Sequence, residues 1–233
     1  MTRDEFIQKI CKNEDDEKKA LFFFESKGID LHVSIYEYLL SLKNTDVDYC
    51  EIATTFRYDK KIRKILYKFI SFFEEYIRAC ICNKYSTLHS LELTNIVKKK
   101  LTKTDKFYLA IDELSFSELI NQVELLSPDD KLYIFGFDPL IKDLKAIVEL
   151  RNAVNHNRFL LNYMKFKECS IGSSLYANVK NFAAHLKNEP RNKFILEILD
   201  CKEYKASSNK SEEYLKSQSE WKIVESTILD ISN

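Results

Sequence analysis

Apolar residues recur at every third or fourth position along most of this chain, the spacing of helices that bury one face. The clearest run is Phe56 to Cys82. There Ile62, Ile65, Leu66, Phe69, Phe72, Phe73, Tyr76, Ile77 and Cys80 make one stripe, and Lys60, Lys61, Arg63, Lys64, Lys68 and Glu75 fill the opposite face. The same spacing predicts helices over Arg3–Cys11, Asp16–Ser26, Asp30 to about Leu42, Leu91–Leu101, Ser115–Leu126, Pro128–Phe135, Leu140–Leu161, Ser173–Leu186, Arg191–Leu199 and Ser211–Ile231. Helix ends are marked in the sequence. Gly28 suits a left-handed residue past a helix end, and Asp30 is a candidate cap. Ser127-Pro128-Asp129-Asp130 places Pro in a first turn, and Gly136-Phe137-Asp138-Pro139 breaks the chain before the next helix. Asn44–Cys50, Asn83–Ser90 and Ala206–Lys210 read as polar connections. The expected fold class is all-α, one domain over 1–233. Its core spans about 56–200, with an N-terminal helical extension over 1–50 and a C-terminal helix over 211–231.

Composition strengthens this reading. Only 3 Gly and 3 Pro occur in 233 residues, too few to build many strand–turn–strand connections. A hydrophobic share of 45%, with 16 Phe and 13 Tyr, is ample for a core. The 36 basic and 36 acidic residues cancel, which argues against a histone-like binder driven by net charge and leaves room for a local basic groove. Six scattered cysteines, a charged start from Met1 to Glu17, and no apolar run near the ~20 residues of a membrane span predict a cytoplasmic chain with reduced thiols and no membrane partner.

One stretch departs from the periodicity. Arg151-Asn152-Ala153-Val154-Asn155-His156 puts four large polar groups late in the Leu140–Leu161 run, as a helix that presents a site would. Asn152 and His156 are four apart and share a face. Arg151 and His156 are five apart, ~140° around the axis and ~7.5 Å along it, so they do not converge unaided. Either the Arg swings across, or a second copy of the helix brings its own Arg and His alongside. The chemistry suits RNA. Attack by a ribose 2′-hydroxyl needs a proton carrier that titrates near neutrality, which is His. It also needs positive charge on the phosphorane, and the Arg fork matches phosphate oxygens. No cofactor and no metal are called for.

The Arg-x-x-x-x-His spacing, with Asn directly after Arg, resembles metal-independent ribonucleases of the HEPN superfamily. The wider context is similar to Abi-like proteins, the AbiD/AbiF type of bacterial abortive-infection factors. Leu150-Arg151-Asn152-Ala153-Val154-Asn155-His156 with Arg158 and Asn162 resembles that family's leucine, Arg-Asn, two residues, Ala-His signature. Glu113-Leu114-Ser115-Phe116-Ser117 is similar to its Glu-Leu-Ser-Phe-Gly segment. Phe56-Arg57-Tyr58-Asp59 through Arg63, and Phe73-Glu74-Glu75-Tyr76-Ile77-Arg78, resemble its upstream helix. Together these cover about Phe56 to Asn162. Asn155 departs from the usual Ala, and Ser117 from the usual Gly. Arg158 stands where nucleotidyltransferase-paired HEPN toxins carry a Tyr, so modification of that Tyr is not expected. The resemblance implies a HEPN-type helical bundle, a homodimer, and an endoribonuclease used in phage defence that leaves a 2′,3′-cyclic phosphate and a 5′-hydroxyl. By position, Arg151 and His156 would be catalytic and Asn152 supporting, with Asn155, Arg158 and Arg78 at the substrate. Partners would be RNA and an antitoxin protein or a regulatory RNA.

Rival readings stay open here. The runner-up is a non-catalytic HEPN module that binds RNA or a protein. A plain helical scaffold would bury and pair Arg151 and His156 away from any cleft. Cys80-Ile81-Cys82 with His89 lacks the second ligand pair of a structural zinc site. Lys98-Lys99-Lys100 with Lys103, and Lys60-Lys61 with Arg63-Lys64, are candidate guides for an RNA backbone; charge runs of this kind are more often solvated faces.

Overall fold

The computed structural model describes residues 2–43, 45–85, 92–104, 106–163, 174–201 and 228–231. Among them there are helices and no strand, so the fold is all-α. The elements are α1 (Arg3–Ile10), α2 (Glu14–Lys27), α3 (Ile29–Leu42), α4 (Tyr49–Lys84), α5 (Asn95–Leu101), α6 (Phe107–Asp112), α7 (Phe116–Glu124), α8 (Pro128–Phe135), α9 (Ile141–Asn155), α10 (Leu160–Tyr163), α11 (Leu175–His185) and α12 (Asn188–Asp200).

The 36-residue α4 is the axis of the molecule. It starts seven residues before the expected Phe56, because Asp48 and Glu51 form a reciprocal capping box that turns part of the expected polar loop into helix. Similar boxes start α1 (Thr2 with Glu5) and α7 (Ser115 with Glu118). Ser127 caps α8 with Pro128 in its first turn. The expected cap at Asp30 is corrected. Gly28, at φ +83°, links α2 directly to α3, and Asp30 sits inside the first turn, where its charge faces the positive helix end.

Helices α2, α3, α6, α8, α9, α10 and α12 all touch α4, while α7 and α11 pack on α9. Rings join the layers. Phe73 of α4 meets Phe116 (6.4 Å), Phe135 (6.2 Å) and Phe182 (5.7 Å), and Phe194 of α12 meets both Phe69 and Phe182 edge-on. Each such pair adds roughly 0.5–1.5 kcal/mol beyond its burial. Phe6 closes the N-terminal end against Phe24 and Tyr36. Two expectations for α4 fail. Phe72 is not in the buried stripe but 44% exposed. Arg63 is not on the solvated face but turned inward onto the buried Asp59.

The run expected as one helix from Leu140 to Leu161 is two. α9 ends at His156, Asn157 takes the left-handed conformation (φ 51°), and α10 starts at Leu160. The C-terminal helix expected over 211–231 lies mostly outside the described residues. Its end, 228–231, is not helical. Leu229 and Ile231 are buried there, and the Leu229 amide donates to the Tyr58 hydroxyl at 2.6 Å. No described helix is long and apolar enough to cross a membrane.

Candidate functional site

The last turns of α9 run antiparallel to α4. Arg151 lies beside Glu74, Asn157 beside Arg63, and Leu160 and Leu161 beside Asp59, so α4 numbers fall as α9 numbers rise. Ala153 and Val154 are the apolar residues of this turn and are buried against the core. The polar residues face outward: Asn152, Asn155, His156, Asn157 and Arg158 are exposed, and Arg151 is half-buried. The stretch that broke the periodicity therefore lies at the surface.

Three backbone hydrogen bonds close the turn. The His156 amide donates to the Asn152 carbonyl (3.0 Å), Asn157 to Val154 (3.2 Å) and Arg158 to Ala153 (3.1 Å). The last two are the crossed pair of a Schellman ending, with Asn rather than Gly at the left-handed position. Asn tolerates that conformation better than other residues with a side chain.

Arg151 lines a cleft of about 70 Å³ with Tyr67, Ser71, Glu74 and Asn155. Its Nη1 donates to Asn152 Oδ1 at 3.4 Å, and its Nε is 3.8 Å from Glu74 Oε2. The first is long for a hydrogen bond and the second is an ion pair without close contact. Arg151 is thus oriented but loosely held. The cleft is small, several-fold below the one between α4 and α12. His156 does not line it. The structure gives Arg151, Asn152 and Asn155 a common neighbourhood and leaves His156 one turn further on. Among the described residues the His156 ring has no hydrogen-bond partner.

Arg78, expected at the substrate, is engaged within the fold. Its Nη2 donates to Glu74 (2.6 Å) and to the Leu114 carbonyl (2.6 Å), and its Nη1 to the carbonyls of Ile111 and Asp112. It clamps the end of α6 to α4 and steadies Glu74, which in turn faces Arg151. A substrate would have to displace four hydrogen bonds to reach it.

The sequence resemblance included Asp59 and Arg63 but gave them no role behind the site. Asp59 is wholly buried, accepts from the Leu160 amide (2.7 Å) and the Leu161 amide (3.2 Å), and ion-pairs with Arg63. Burial pushes its carboxyl pKa upward, against the pull of Arg63 and the two amides. Arg63 Nη1 then donates to the Asn157 side chain at 3.2 Å. The available signal was an acid one turn before an arginine on a lysine-rich face.

A second, larger cleft of about 550 Å³ lies between α4 and α12. Lys61, Lys64, Tyr67, Lys68, Glu197, Asp200 and Cys201 line it. Lys68 is paired with Glu197 at 2.6 Å. Burial pushes the Cys201 thiol up to about 12, which leaves it unreactive near neutral pH. Tyr67 borders both clefts, and Lys60, Lys64, Tyr67 and Ser71 follow one another along the outer side of α4. Lys98, Lys99 and Lys100 lie on α5, which packs on α6; Lys100 faces Glu113 at 3.5 Å. Among the described residues no three His, Cys, Asp or Glu side chains gather as a metal ligand set would. His89 and Cys169 lie outside the described residues.

Compared with family models, with curated proteins and with solved structures, the chain matches none.

Proposed function

We propose that this chain is a metal-independent endoribonuclease of the HEPN type, Abi-like in kind, that acts in bacterial abortive infection. The observation that carries the reading is the exposed Arg151–His156 turn, with Arg151 and Asn155 lining a small polar cleft. Arg151 would hold the scissile phosphate and stabilise the charge that builds on it. His156 would move the proton of the 2′-hydroxyl or of the leaving 5′-oxygen. Asn152 would keep the guanidinium in place. Asn155 would contact the phosphate, and Arg158, on the same exposed turn, the flanking backbone. Base and ribose would lie outside the cleft, where Tyr67 offers a stacking face and Lys60 and Lys64 meet the backbone.

Arg151 and His156 occupy successive turns rather than one cleft. This favours a two-fold dimer across the outer face of α9, in which a second copy supplies the missing partner. The same separation is what a non-catalytic RNA- or protein-binding module would show, and that is the second reading.

The test is cleavage of single-stranded RNA in excess EDTA, with the ends identified. The expected products carry a 2′,3′-cyclic phosphate and a 5′-hydroxyl. Arg151→Ala and His156→Ala, both folded, should each slow cleavage by about 10²–10⁴-fold, the range for lost proton transfer. RNA that is bound but never cut, with weaker binding by the same variants, would replace the enzyme with the binding module.

A further inference from the structure

The turn after α9 is held from outside itself. A helix start is ordinarily capped by its own preceding residue, but before α10 that residue is Phe159, which has no group to offer. Its ring packs edge-on against Tyr38 at 5.4 Å. The cap comes from Asp59, about a hundred residues earlier, which takes the Leu160 and Leu161 amides. Arg63, one turn further along α4, pairs with Asp59 and reaches the Asn157 side chain. The bracket thus grips the chain at 157 and again at 160–161, immediately after His156.

A plain stabilising ion pair would not be built this way. The Arg63 side chain is 11% exposed, and its Nε is buried without a partner among the described residues. An ion pair at the open surface would leave that donor to water. The guanidinium gives up one donor so that its two Nη groups can reach Asp59 and Asn157 at once. Such an arrangement selects geometry over stability.

We infer that Asp59 and Arg63, acting through Asn157, are positioning residues that fix the place of His156. The inference rests on the reading of His156 as the proton carrier. It adds that the rate depends on a buried pair on a different helix that never touches substrate. Placement errors of about 1 Å at a reacting group can lower a rate about 10²-fold.

Two variants test the bracket from its two ends. Asn157→Gly keeps the left-handed turn, which Gly favours, and removes the bond to Arg63. Arg63→Lys keeps a cation for Asp59 and cannot fork to Asn157. Each should lower kcat about 10- to 100-fold with KM within about twofold. The double variant should lose no more than either single, because both cut one link. Asn157→Asp, which still accepts from Arg63, should stay close to the parent. The second readout needs no RNA. The His156 ring proton signal in NMR should be single and narrow in the parent and in Asn157→Asp, and shifted or broadened in the other two. If Asn157→Gly and Arg63→Lys leave that signal unchanged, the bracket does not place His156 and the inference falls. If the signal moves while the parent never cuts RNA, the bracket stands and the ribonuclease reading falls. If the signal moves and kcat does not, the bracket has no part in the rate and the inference falls. If one variant fails to fold, as read by circular dichroism, the other decides on the same two readouts.

Discussion

Asp59, near the start of α4, and Asp130, which meets the end of α4, each join that helix to the first turn of a later one. Asp130 lies in the first turn of α8 and is held by Lys84, by the Tyr85 hydroxyl and by Ser127 (2.7 Å). Asp59 is held by Arg63 and by two α10 amides. The surroundings differ. Asp130 keeps an edge in water, and its partner Lys84 is 36% exposed. Burial pushes its carboxyl pKa up, but the bonds from Lys84, Tyr85 and Ser127 outweigh this and hold it down to about 2. Asp59 has no exposed surface, and there burial dominates. A carboxylate that keeps a narrow exposed edge and has three donors adds stability. A closed one is weak support for stability, because desolvation offsets much of the attraction, and its value lies in the arrangement it enforces.

Removing the closed carboxylate should have the largest effect. Asp59→Ala leaves Arg63 buried without a counter-charge and two amides without an acceptor, and should cost about 3–5 kcal/mol in urea denaturation. A loss below about 1 kcal/mol would mean that Arg63 simply turns to solvent, and the contrast with Asp130 would disappear.

Asp130 should show itself through pH. Its pKa is depressed in the folded state, so its contribution is complete above the unfolded value of about 3.9 and is lost as pH falls through about 2. Allowing for solvent screening, this is on the order of 1 kcal/mol. Asp130→Asn should flatten stability measured between pH 4 and pH 2; an unchanged acid slope would remove Asp130 from the account.

The smallest effect belongs to two buried histidines. His32 and His185 are depressed by burial, each with its Nδ1 near a backbone carbonyl (Gly28 at 3.0 Å, Asn181 at 2.8 Å). The unfolded chain therefore binds protons first, and stability is complete above about pH 6.5 and declines below it. A shallow fall in Tm from pH 7 to pH 5 should lessen in His185→Gln. A steeper fall in that variant would contradict the assignment.

What could be read from the sequence follows how local the controlling interaction is. The α4 stripe, the Ser127-Pro128 start and the Gly136 break depend on neighbours within a few residues, and the structure has them. The Asp48–Glu51 box is equally local, but it lies inside a polar stretch whose composition reads as a loop. The break after His156 was not readable. Phe159, Leu160 and Leu161 continue an apolar run, and what ends α9 there is joined to Asp59, far back in the chain. Phe72 and Arg63 were misassigned because periodicity reports the mean direction of a face, and both lie at its edges. In the candidate site, the outward placement of Asn152, Asn155 and His156 followed from the broken pattern. The involvement of Arg78 with the end of α6 did not, since its acceptors are backbone carbonyls that carry no sequence signature.

Tyr58 and Asp59 stand side by side on α4 and wait for distant parts of the chain. The Asp59 acceptor is first met by Leu160, 101 residues later, and the Tyr58 hydroxyl by Leu229, 171 residues later. At a synthesis rate of about 5–20 residues per second, the first of these delays is roughly 5–20 s. During that time α4 can be helical and already packed on α2 and α3, while the turn bearing His156 has nothing to dock on it. The order of emergence from the ribosome thus holds back the candidate site until residue 161 has been made, well after α4 itself.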